Sequence, residues 1–125
     1  MLVNDDIKHI EFNDKRLNTR MEILINQFAK KPTESIPQSC ASMASTKAAY
    51  RFLKNPKVNK EKIIEGFRKS TIEKMKQHEL VFAISDSTNL NFTSRKKLKG
   101  TDVLRNSKAR GLNLHTTKIF TPEGM

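Results

Sequence analysis

Hydrophobic periodicity changes once along this chain, near residue 80, and that switch restricts the folds open to it. Before it, apolar residues recur at steps of three and four; after it, they alternate. In KRLNTRMEILINQFAKK, Leu17, Met21, Leu24, Ile25 and Phe28 make one helical stripe. Asn13 or Asp14 can cap it, and Pro32 stops it near Lys31. The next segment is dense in small residues (Ser39, Ala41, Ser42, Ala44, Ser45, Ala48, Ala49), which lets two short helices cross closely. Ser42 or Ser45 caps the second of these, Asn55-Pro56 ends it, and Ala48, Ala49, Phe52 and Leu53 form its apolar side. Asn59 then caps KEKIIEGFRKSTIEKMKQHE, with Ile63, Ile64, Phe67, Thr71 and Met75 as its core-facing stripe. Only after this helix does a strand arrive: Val81 to Ile84 reads as buried, and Asp86 follows where the apolar run gives out. A second strand is read in GLNLHTTKIF, entering a turn at Pro122-Glu123-Gly124. Helices first and strands second predict an α+β fold, with a helical domain over 1–79 and a β-containing segment over 80–125.

Charge narrows the function. Twenty-four Lys and Arg against thirteen Asp and Glu give a net charge of +11. That excess is far more than solubility needs, so a polyanionic partner is expected, double-stranded DNA foremost. An anionic membrane surface is the weaker alternative, since no apolar run approaches the roughly 20 residues of a spanning helix. The opening MLVNDDIKHIEF carries acids where a secretion signal carries bases. One cysteine, Cys40, excludes an internal disulfide and reads as a packed thiol. His9, His78 and His115 stand too far apart for a zinc motif. The resulting expectation is a soluble, cytoplasmic, DNA-associated protein.

The bases have pattern as well as number. Lys47, Arg51 and Lys54 recur at four and three, placing three cations on one face of the second short helix. Two short helices with a basic stripe on the second is the layout of a helix-turn-helix. Arg16 and Arg20 lie one turn apart on the preceding helix. Between Thr93 and Arg110, seven bases face one acid, Asp102, in what reads as a loop punctuated by Gly100 and Gly111. Lys96, Lys97 and Arg110 are its candidate phosphate contacts.

Five motifs in order give these signals a common frame: DKRLNTR (14–20), AAYRFLKNPKV (48–58), ISDSTNL (84–90), RGLNLHTT (110–117) and the closing TPEGM. The set resembles the amino-terminal third or so of bacterial transposases of the insertion-sequence-four family, over nearly the whole chain from Glu11. The resemblance implies an all-helical DNA-binding domain followed by the first two strands of an incomplete ribonuclease-H-like domain. In that family an Asp-Asp-Glu triad holds two Mg²⁺ ions for DNA cleavage and strand transfer. Asp86 resembles the first acid of the triad, with Thr88 beside it, and would serve as a metal ligand only in a complete protein. Arg16, Arg20 and Arg51 match positions associated with transposon-end DNA; Lys47 and Lys54 are added from helical spacing alone. Neither Asp102 nor Glu123 stands where the remaining acids belong, so this chain is expected to be inactive by itself and to hold no Mg²⁺ tightly. A homodimer or a full-length transposase is the protein partner that the frame leaves open. The chain stops just past turn signals that normally precede another strand, as a fold cut short would. The rival expectation is a stand-alone basic helix-turn-helix-like or regulatory module with no catalytic ancestry.

Overall fold

A computed structural model describes residues 3–95, 97–105 and 108–124. The chain forms two compact units, Met1–Gln77 and His78–Met125. Among the described residues there are five helices followed by a three-stranded antiparallel sheet, which is an α+β fold.

The first unit is helical: α1 (Val3–Ile7), α2 (Lys15–Lys30), α3 (Ile36–Ser39), α4 (Met43–Lys54) and α5 (Lys60–Met75). Asp14 is the residue that caps α2, its Oδ1 accepting from the Arg16 N–H at 3.1 Å. Ahead of it Asn13 takes a φ of 57°, a left-handed conformation that asparagine tolerates better than most residues. Asn18 locks this entry, accepting from the Phe12 N–H at 3.0 Å and donating to Glu11 Oε1 at 2.7 Å. The bond from Asn18, with the Asn13 N–H behind it, holds the Glu11 carboxyl below its ordinary range. Met21 and Leu24 are buried, with Leu17, Ile25 and Phe28 packed against the same core, so the α2 stripe faces inward as its spacing predicts. Ile7, Ile10, Phe12, Cys40, Ala49 and Phe52 complete that core, the two phenyl rings meeting edge to face at 5.7 Å.

A single turn, α3, begins at a Ser35/Gln38 capping box. Three residues after α3 ends, Ser42 caps α4, accepting from the Ser45 N–H at 3.1 Å. On α4 the inward residues are Thr46, Ala49 and Phe52; Leu53, expected on that side, is exposed. Thr46 can be buried because its hydroxyl donates back to the Ser42 carbonyl at 3.0 Å.

Asn59 caps α5 as read from sequence, but the helix turns a different face inward. Its buried residues are Gly66 and Ser70, with Ile63 packed beside the core, while Ile64 and Phe67 are exposed. The cause is α1, which is too short to show a periodicity and packs against α5. A Cβ at Gly66 would overlap Ile10 Cγ1, so only the small-residue side of α5 admits this approach. Polar contacts close the approach at the surface: Glu73 meets Lys8 Nζ at 2.7 Å and His9 Nε2 at 2.8 Å, and Lys74 meets Asp6.

In the second unit β1 (Phe82–Asn91) pairs antiparallel with β3 (Arg110–Phe120), and β2 (Asp102–Val103) pairs with the start of β3. The first strand is longer than its apolar run suggests, and Asp86 sits within it rather than at its end. Every residue of β1 is exposed, correcting the expectation of a buried strand. The reason is local: no helix among the described residues of this unit lies on the sheet. A third strand, β2, occupies part of the expected basic loop, since two residues pairing with Arg110 and Gly111 leave no periodicity to read. Gly111 likewise belongs to β3; a Cβ there would collide with the Leu90 carbonyl oxygen, and the space beside it is taken by Leu104.

Candidate nucleic-acid interface

The α4 bases follow directly from the packing. With Thr46, Ala49 and Phe52 buried, helical geometry turns Lys47, Arg51 and Lys54 to the opposite, exposed side. None of the three forms an ion pair among the described residues, so Arg51 is not a structural counter-ion to an acid. The result is a line of uncompensated cations on a rigid helix, joined to the one-turn α3 through residues 40–42. A side-chain bond from Gln27 Nε2 to Ser45 Oγ, 3.1 Å, fixes the first turn of α4 to α2.

On α2, Arg16 and Arg20 share a separate recess of about 490 Å³ with Lys15, Thr19 and Ile23. Arg16 is 93% exposed and lies 3.6 Å from Asp14, whose other oxygen is 3.7 Å from Lys57. Such solvent-screened pairs leave the guanidinium available to an anion. No described contact joins the α2 arginines to the α4 triad, so the helical unit presents two basic clusters.

The β unit distributes its candidates differently. Lys97 borders an open depression with Phe92, Ser94, Arg95 and Leu98. Arg110 stands at the head of β3, its guanidinium Nη2 donating to the Thr101 carbonyl at 3.1 Å, so it braces its own loop. Lys96 lies outside the described residues. Asp86 Oδ1 accepts from the Ser87 N–H at 2.8 Å, and the side chain lines a recess of about 300 Å³ with Ile84, Thr88, Thr116, Lys118 and Phe120. Sequence places Thr116 and Lys118 on the second strand but not beside Asp86, because the register that brings them there is invisible until β1 and β3 are paired.

Residues 2–58 match the transposase DNA-binding family. The matched segment contains both basic clusters, ends at Val58, and makes DNA the partner class that this part of the chain supports. No curated protein matches the chain. Among the described residues, no helix is long and apolar enough to cross a membrane.

As for metal, the recess offers one carboxylate and two hydroxyls, and no group of three or more His, Cys, Asp or Glu gathers among the described residues. A two-ion centre takes several carboxylates about two cations. The donors present do not fit that centre.

Proposed function

We propose that this chain is the amino-terminal part of a transposase resembling the insertion-sequence-four family, and that it binds transposon-end DNA through its helical unit. The observation carrying the reading is the coincidence of the matched segment 2–58 with an outward α4 face bearing Lys47, Arg51 and Lys54. On this reading α4 lies in a groove of the duplex, its three cations drawn to phosphates, and Arg16 and Arg20 clamp the backbone from α2. Asp86 stands for the first acid of the family's triad, and Mg²⁺-dependent cleavage and strand transfer belong to a longer protein that supplies the other ligands.

Binding-site selection tests this. The chain is incubated with a pool of duplexes carrying a randomised segment, and retained DNA is sequenced over several rounds. Enrichment of one short sequence, lost in a Lys47→Ala/Arg51→Ala/Lys54→Ala variant, is the expected result. Retention of the pool without any enrichment removes the transposon-end reading and leaves a non-specific basic module.

A further inference from the structure

Two strands set four polar side chains around one small recess. Alternation along β1 puts Asp86 and Thr88 on the same face as Ile84. The register then places Thr116 opposite Asp86 and Lys118 opposite Ile84. These residues and Phe120 line the recess of about 300 Å³. The Lys118 ammonium forms no ion pair with Asp86 among the described residues; the carboxylate accepts from its neighbour's N–H instead. So the recess holds a cation not spent on the adjacent acid, two hydroxyl donors, and a carboxylate that repels anions.

That donor set is suited to a phosphodiester. An ammonium attracts a non-bridging oxygen, and threonine hydroxyls donate to the same group. We propose that Lys118 anchors a DNA phosphodiester beside Asp86, with Thr88 and Thr116 as hydroxyl donors. The proposal rests on the transposase reading, yet concerns a residue that reading does not use, since Lys118 lies one position past the RGLNLHTT motif. Its role is positioning: Lys118 holds the phosphate against the strand face that carries Asp86.

The signs of the two charges make the test specific. Equilibrium binding of the whole chain to a duplex several turns long is measured by fluorescence anisotropy, with divalent cations chelated. The proteins compared are the natural chain, Lys118→Met, Lys118→Arg and Asp86→Asn, each checked for fold by circular dichroism. Lys118→Met is expected to weaken binding several-fold and to reduce the log–log salt slope by about 0.9, the loss of one phosphate contact. Lys118→Arg keeps both quantities, and Asp86→Asn tightens binding by removing a repulsive charge. Amide shifts of Thr88 and Thr116 should move on titration with DNA. If Lys118→Met and Asp86→Asn both bind like the natural chain while loss of the α4 bases abolishes binding, the proposal is overturned and the transposase reading stands. Weakening by Lys118→Met without tightening by Asp86→Asn also overturns it, because the phosphate is then not beside the carboxylate. Failure of the natural chain to bind duplex DNA removes both.

Discussion

Gly66 and Ser70 lie one turn apart on the buried side of α5, and they answer to opposite substitutions. Ser70 is 2% exposed, and its hydroxyl has no hydrogen-bond partner among the described residues. A buried unpaired hydroxyl carries its desolvation cost without return, so Ser70→Ala is expected to raise stability by about 1 kcal/mol, read from urea denaturation. At Gly66 an alanine Cβ would meet the Ile10 backbone as well as its side chain. Backbone cannot swing aside as a side-chain tip can. Gly66→Ala is therefore expected to destabilise by roughly 1–3 kcal/mol, more than its helix-propensity gain of about 1 kcal/mol returns. A more stable Gly66→Ala protein would contradict the close packing of Ile10 on α5.

At the scale of elements, the turn that follows α1 is tied to α5 by surface contacts. Glu73 receives Lys8 and His9, and the Lys8 contact first, then His9, holds its carboxyl down to about 2. A carboxyl more acidic in the folded chain than in the unfolded one binds fewer protons when folded, so its contribution is present above the ordinary carboxylate range. That contribution is lost as pH falls toward about 2. The urea midpoint is expected to decline over that window in the natural chain, with a shallower decline in Glu73→Gln. Identical pH profiles for the two would show that these contacts do not stabilise the packing of the α1 segment on α5. The same elements show what the sequence made legible. Helix α2 and its core stripe, the Asn59 cap and the β3 strand could all be read from spacing and capping chemistry, and the same chemistry narrows the α4 cap to Ser42 or Ser45. The inward face of α5 could not: its apolar stripe of Ile64 and Phe67 outscored Gly66 and Ser70 on hydrophobicity, and only the docking of α1 reverses that preference. For the candidate sites, the outward placement of Lys47, Arg51 and Lys54 followed from periodicity within one helix. The company of Asp86 did not, because Thr116 and Lys118 come from a strand roughly thirty residues away.

The whole molecule joins a helical unit rich in uncompensated cations to a sheet presenting Asp86 within its first strand. Its net charge of +11 makes association with a polyanion depend strongly on salt. If about six phosphates are contacted, the logarithm of affinity should fall against the logarithm of salt concentration with a slope of about −5. Lys47, Arg51 and Lys54 account for roughly three of those contacts, each worth about 0.9 of slope. Since all three point away from the core, replacing them with alanine should leave the fold and its circular dichroism intact. The most direct test of DNA binding through α4 is therefore anisotropy of the natural and triple-alanine chains on one duplex across a salt series. The account predicts a linear, steep dependence for the natural chain, and a much weaker affinity with a slope of about −2 to −3 for the variant. Affinity indifferent to salt, or a triple variant that binds as tightly as the natural chain, would contradict it.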